Sequence, residues 1–400
     1  MNAKRLFDTI VCFPLTEWEG LPHNSRHLMV EASRRGYRVV YVDPIGIRSL
    51  KLKRRDLSKV RRRVRQLRHP FAGVADGVWR LAPIAIPFQG RDAVRAINNR
   101  MLTRQIRAAL RKLGAKEALL WSYSPQLLEM RLQIDFELAI YHRTDPYTEA
   151  PGIDASAIAA QEERAVTLAD LCIAANRRSG AEAFSGARNT LVLPNGIDLS
   201  VFGSESRESD PIPDVGHPRL VAIGTIDSWT DLELLNDLAL AHDDWQLVLA
   251  GDSLVRLGSL SSHPRVHVLG RLPYEQLPAL LAGCDVGLVP WHVNAFTTGM
   301  CPGKIYQYLA AGLPVLSTPM LEPSDYDDHV SVAPGEPERF GAAIEELLRS
   351  NTPDLTEARR GYARRQTYAA RFDEVETALG LAAAAKSLAS PGSPAPELSP

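Results

Sequence analysis

The chain has 400 residues, a net charge of −1, 45% hydrophobic and 23% charged residues. That is too long for one ordinary core and too apolar to stay disordered, so a soluble chain of two domains is expected. The near-zero charge gives no sign of a polyanionic partner for the molecule as a whole, and four scattered cysteines without a CxxC pair argue against a disulfide framework or a cysteine metal site.

The N-terminal run MNAKRLFDTIVCFPL is interrupted by Asp8 and has no small-residue cleavage site, so it reads as a first strand and not as a leader. No run reaches the roughly 18 apolar residues of a membrane span. Asp8 to Pro14 is predicted as a strand, Ser25 to Arg35 as a helix closed by Gly36, and Arg38 to Asp43 as the next strand. The apolar runs Ala118–Trp121, Leu138–Tyr141, Leu171–Ala174 and Thr190–Pro194 continue the rhythm. Ser204 to Pro218 is polar and proline-rich and reads as a loop into a second unit. The rhythm restarts with Leu220–Gly224, Trp245–Ala250, Val266–Leu269, Val286–Pro290 and Pro314–Ser317. A helical stretch runs from Thr352 to Leu388, and the Ser- and Pro-rich tail from Ala389 to Pro400 is expected to be disordered. Strand and helix alternate throughout. The expected fold class is therefore α/β, with two Rossmann-like, doubly wound parallel-sheet domains and a cleft between them. The division is expected at residues 1–203 and 204–370, with a C-terminal helix near 371–386 packing back on the first domain.

Between Arg48 and Arg68 the chain holds eleven Lys or Arg and one acid, Asp56. Val60, Val64 and Leu67 recur at helical spacing, so the segment reads as a basic amphipathic helix. At about 1 kcal/mol for each basic residue close to an anionic leaflet, it would hold the protein at a membrane reversibly. A solvated charged face is the alternative. Nucleic acid is not expected, because no aromatic residue interleaves the run and no reader motif is present.

No GxGxxG follows the first strand of either half, so a dinucleotide enzyme is not expected, and there is no Walker lysine motif. Three loops at strand ends of the second half attract notice. Gly224 and Thr225 leave one strand with a small residue and a hydroxyl. Gly270 and Arg271 end another. Trp291 to Gly303 leads into a helix that opens at Pro302, carries Lys304 in its first turn and Gln307 one turn later, and closes at Gly312. A lysine at a helix N-terminus opposes the helix dipole unless an anion lies between them. Together these loops suit a nucleotide: the base near Arg271, the diphosphate near Gly224 and Lys304, the ribose near Gln307. Singly, each glycine is equally a turn glycine, and the lysine a surface lysine.

LVLPNGIDLSVF, DLELLNDLA, LGRLPYEQLPALLAGCDVGLVP and PGKIYQYLAAGLPVLST resemble segments of GT-B glycosyltransferases, over roughly residues 7–385. Family 4 members place two glutamates around the Lys304 helix; here the positions are Gly299 and Gln307. Lys304, Gln307 and Tyr308 instead resemble the KxxQY segment of the xanthan-assembly glucuronosyltransferase family, and GTIDSW resembles the transferases of teichuronic acid synthesis. The resemblance implies transfer of a sugar from a nucleoside-diphosphate donor, most simply a uridine-linked one, to a lipid-linked or polysaccharide acceptor at the inner face of the membrane, in the cytoplasm.

The same resemblance aligns Asp145, in Tyr141-His142-Arg143-Thr144-Asp145, with a catalytic base. A carboxylate there would take the proton of an attacking hydroxyl, and direct attack inverts the anomeric carbon. Asp145 before Pro146 equally suits a turn cap. His142 alternates to the opposite face and is expected to be structural. Glu17, Trp18 and Arg26, around the first βα loop, are candidates for substrate contact. With Lys304 supplying positive charge, no metal is expected. A retaining transferase, a nucleotide-sugar 2-epimerase and a non-catalytic nucleotide-binding scaffold remain open readings.

Overall fold

Five-residue apolar strands at the centre of each half organise the computed structural model, which describes residues 6–20, 22–44, 69–86, 92–150, 154–203, 212 and 215–389. The basic segment Arg48–Arg68, most of Ser204–Pro218 and the tail after Ala389 lie outside the described residues. The chain divides into two units, one comprising Met1–Pro194 and Arg371–Pro400, the other Asn195–Ala370.

The first unit contains β1 (Thr9–Phe13), β2 (Arg38–Val42), β3 (Phe71–Ala75), β4 (Val78–Leu81), β5 (Ala118–Ser122), β6 (Leu138–Arg143), β7 (Leu171–Ala174) and β8 (Thr190–Val192), in the order β3-β4-β2-β1-β5-β6-β7-β8. All neighbours are parallel except β3 and β4. β1 and β5 are buried along their whole length and β2 at all but Arg38, and apart from Thr9, Arg38 and Ser122 their residues are apolar, as in a parallel sheet covered on both faces. β3 and β4 form an antiparallel edge hairpin turned by Asp76-Gly77, where Gly77 has φ of 66°. Asp-Gly is a strong hairpin signal, and the sequence reading passed over it.

The second unit contains β9 (Arg219–Ile223), β10 (Gln246–Ala250), β11 (Val266–Gly270), β12 (Val286–Val289), β13 (Val315–Ser317) and β14 (Val330–Val332), all parallel, in the order β11-β10-β9-β12-β13-β14. Strand order reverses between β9 and β12. In an open α/β sheet that reversal opens a crevice beyond the carboxyl ends of the strands. β14 was not anticipated; three residues are too few to show a period.

The helical stretch expected from Thr352 to Leu388 is two helices, Pro353–Arg365 and Tyr368–Ala389. The break has a local cause. The Gln366 carbonyl accepts from Ile197 N–H at 2.8 Å, which takes that residue out of the helix, and the Thr367 hydroxyl accepts from Ala370 N–H at 3.1 Å, capping the next one.

From Arg371 onward the last helix belongs to the first unit. Phe372 is 1% exposed, stacks on Trp121 with ring centroids 6.2 Å apart and lies under the Arg35 guanidinium at 5.1 Å. Arg35 in turn bonds Asp373 and Glu376, both at 2.6 Å. Phe372→Ala removes a fully buried ring and should destabilise the first unit by about 3–5 kcal/mol. Urea unfolding followed by tryptophan fluorescence checks this, since Trp121 reports on the same contact.

Candidate active site

In the second unit the ladder between β9 and β12 is short. Val286 pairs with Leu220 and Gly287 with Val221, and there the pairing ends. Tyr308 fills the gap. Its hydroxyl accepts from Ile223 N–H at 2.9 Å and donates to the Leu288 carbonyl at 3.2 Å, so one side chain satisfies a backbone group on each diverging strand. Gly287 makes room for it, since a Cβ there would lie 2.5 Å from the tyrosine ring. Tyr308 belongs to the helix Lys304–Ala311, which ends on Gly312 in the left-handed conformation, φ 86°. Lys304 lies one turn before Tyr308 on the same face.

That geometry sets Lys304 against the end of β9. Gly224 has φ of 93°, and a methyl group at its α-carbon would lie 3.2 Å from the Lys304 Nζ. Gly251 is equally constrained, because a Cβ there would come within 1.9 Å of the Gly224 carbonyl oxygen. The ammonium lies 5.0 Å from the Trp291 ring centroid. Lys304 has no carboxylate or hydrogen-bond partner among the described residues, and burial alone pushes its pKa down to about 8. The helix start is uncapped by any side chain and has no acid in its first turn, so the positive end of the helix dipole and Lys304 together form a locus of positive charge without a counter-ion among the described residues. Thr225 is half-buried beside Gly224 and makes no side-chain hydrogen bond among the described residues. The helix begins two residues after Pro302, whose carbonyl accepts from Ile305 N–H.

The other predicted residues are placed differently. Arg271, exposed at the end of β11, is ion-paired with Asp252 from the loop after β10. Gln307 hydrogen-bonds the Tyr274 phenol, and the Tyr274 ring meets Phe202 edge-on at 5.4 Å. Among the described residues no three His, Cys, Asp or Glu side chains are grouped to hold a metal ion.

In the first unit Asp145 follows β6. Its carboxylate accepts from the Thr144 hydroxyl at 3.0 Å and the Tyr147 phenol at 3.4 Å, and those two hydroxyls lie 2.7 Å apart. Burial raises its pKa; the two hydrogen bonds and nearby His23 and Arg143 oppose the rise. His23, just before the helix Asn24–Arg34, escaped the sequence reading because its proximity to Asp145 comes from chain segments far apart. His142 is fully buried, accepts from the Trp121 indole N–H at 3.3 Å and stacks on Tyr123 at 4.5 Å. Arg143 bonds Glu162 at 2.7 Å inside the core.

Glu17 sits in the first βα loop, its carbonyl closing a turn to Gly20 N–H. Trp18 is 6% exposed, donates its backbone N–H to the Asp43 carboxylate at 3.0 Å and lies edge-on to Tyr41. Arg26 covers its ring at 4.8 Å and donates to the Trp18 carbonyl at 3.3 Å.

Residues 217–350, which hold the whole Lys304 locus, match the family model described as Glycosyl transferases group 1. TuaH of Bacillus subtilis (strain 168), named as a candidate teichuronic acid biosynthesis glycosyltransferase, is 25% identical over 210 residues, 49% of this chain and 52% of TuaH. The match thus spans about half the length of that curated relative. Sucrose-phosphate synthase from Thermosynechococcus elongatus superposes with a TM-score of 0.67 at 16% identity, over 95% of this chain and 99% of its own. HepE of Anabaena, solved with UDP and glucose, superposes with a TM-score of 0.63 at 16% identity, over 94% and 99%. The fold is GT-B. In this GT-B chain the group 1 match falls on the second sheet and its switch point.

Tyr308→Phe keeps the ring and removes the hydroxyl, leaving two buried backbone groups without their bridge. It should cost about 1–3 kcal/mol in denaturant unfolding, and faster amide exchange at Ile223 than in the parent protein should accompany the loss.

Proposed function

We propose that this chain is a glycosyltransferase that takes a sugar from a nucleoside diphosphate, UDP, and attaches it to a lipid-linked or polysaccharide acceptor in cell-surface glycan synthesis. The observation that carries the reading is the unpaired Lys304 amine beside Gly224 at the switch point of the second sheet. A diphosphate arriving there meets the ammonium, the positive end of the helix dipole and the open backbone of Gly224. As the bond from the sugar to the diphosphate breaks, negative charge grows on the leaving oxygens. The same groups then bind more strongly than in the ground state, which is the requirement for acceleration. Charge neutralisation is assigned to Lys304 and not to a metal ion. HepE was solved with UDP and glucose, and TuaH is named for teichuronic acid synthesis; both support the donor and acceptor classes.

In this reading Thr225 joins Gly224 and Lys304 at the diphosphate, Arg271 lies by the base, and Gln307, oriented by Tyr274, meets the ribose. Asp145 is the general base. Its carboxylate takes the acceptor hydroxyl proton as that oxygen bonds to the anomeric carbon and the diphosphate departs with the bonding pair, so configuration inverts. A carboxyl raised toward working pH by burial is suited to the task. Glu17, Trp18 and Arg26 serve the acceptor, Arg26 indirectly by holding Trp18. Arg48–Arg68 meets the anionic membrane surface. Among the described residues no helix is long and apolar enough to cross a membrane.

UDP at 100 times its dissociation constant should add about 2.7 kcal/mol to unfolding free energy, and Lys304→Met should abolish that response without unfolding the protein. The pH dependence has a definite sign. The free amine titrates near 8 and bound diphosphate restores the ammonium, so binding takes up a proton above that pH. Affinity should be flat below about pH 8 and weaken above it, as isothermal titration at pH 7 and pH 9 would record; equal affinity at both, with Lys304→Met unaffected, removes the carrying observation.

Asp145→Asn should lower turnover by about 10²–10⁴ while UDP affinity stays within about twofold. Chromatographic assay with α-linked UDP-sugars and a membrane lipid extract gives the turnover, and NMR of the product gives its configuration. Undiminished turnover rejects the base, and an α-linked product rejects inversion.

A further inference from the structure

The helix Asp92–Leu113, in the first unit, carries Arg100, Arg104, Arg107 and Arg111. Their spacings of four, three and four residues put all four on one stripe, and each is exposed. The stripe is about 16 Å long at 1.5 Å per residue. From Ala93 to Leu113 the sequence holds no acid, and no ion pair to any of the four exists among the described residues; the one bond formed is from Arg107 to the Gln133 carbonyl. Like charges one turn apart weaken a helix, so the stripe opposes the element that carries it. A chain whose net charge is −1 has acids to spare for neutralising such a row, and does not place them there.

Apolar side chains border the stripe. Ile97, on the same helix, is 44% exposed, and Ile84 and Ile86, on the segment after β4, are 48% and 41% exposed. That segment is held to the helix by two amide clamps. Gln105 accepts from Ile84 N–H at 2.9 Å and donates to its carbonyl at 3.0 Å. Asn98 accepts from Ile86 N–H at 2.7 Å and donates to its carbonyl at 2.9 Å. The side-chain amides thus act as a strand partner. They bind the backbone on one edge and leave the isoleucines in water beside the arginines.

We infer that this face docks on an anionic lipid leaflet, the arginines meeting headgroup phosphates while Ile84, Ile86 and Ile97 enter the acyl boundary. Charge complementarity selects a polyanion, and the isoleucines select lipid over nucleic acid, whose phosphate backbone offers nothing for them. No aromatic side chain interrupts the stripe to stack a base. The inference rests on the lipid-acceptor part of the function proposed above and adds the helix Asp92–Leu113 as a docking element. Vesicle binding needs neither donor nor acceptor, so it can fail while transfer stands.

The test is co-sedimentation of the full chain with phosphatidylcholine vesicles, with and without about one third phosphatidylglycerol, at two salt concentrations, and in parallel with an RNA duplex. The parent protein should partition to anionic vesicles and release at high salt. Replacing Arg100, Arg104, Arg107 and Arg111 together by Gln should lower the partition coefficient more than tenfold. The unfolding midpoint should stay the same or rise as repulsion is relieved. The same four positions changed to Lys should keep binding within about threefold, which separates charge from any structural role. Ile84→Ser with Ile86→Ser should weaken binding in a manner salt does not rescue. Parent-like partitioning of the four-Gln protein overturns the inference. So does loss in the four-Lys protein equal to that in the four-Gln protein, or RNA binding that depends on the stripe while vesicle binding does not.

Discussion

One hydroxyl group holds the second sheet together where it divides. β9 and β12 must part for a crevice to exist, and parting strands leave backbone groups without partners in a dry interior. The Tyr308 oxygen answers both, taking a hydrogen from Ile223 and giving its own to Leu288. Because Tyr308 and Lys304 share a helix face, closing the seam also fixes the amine against Gly224. The charged locus is a consequence of how the sheet is finished.

Burial acts on the two ends of the proposed reaction with opposite signs. It lowers the Lys304 amine and raises the Asp145 carboxyl. Both groups are thereby moved toward their neutral forms, and each is charged more readily when the reaction supplies its complement: a diphosphate for one, a proton for the other. Burial, and not a paired counter-charge, is the leading cause of both shifts.

Much of the architecture was legible because parallel strands buried on both faces read as short apolar runs. The signal was strong at Thr9–Phe13, Ala118–Ser122 and Gln246–Ala250. It was weak where burial is one-sided or brief: the edge strand Phe71–Ala75 alternates in exposure, and Val330–Val332 has three residues. The break at Gln366-Thr367 depends on Ile197, nearly 170 residues earlier, and no local pattern contains it. At the site, Gly224 and Lys304 could be paired in advance because a strand end and the start of a crossover helix meet in any such sheet. The partners of Arg271, Gln307 and Arg26 could not, since Asp252, Tyr274 and Trp18 are ordinary residues until the fold brings them near.

The lowered basicity of Lys304 has a chemical outcome apart from any ligand. An amine attacks an electrophile only through its free lone pair, and near pH 8 about half of this one is deprotonated, where an ordinary lysine is almost wholly protonated. The chain holds few other lysines. Among the described lysines, this nitrogen is therefore the one most ready to meet an acylating or aldehyde reagent at mild alkalinity.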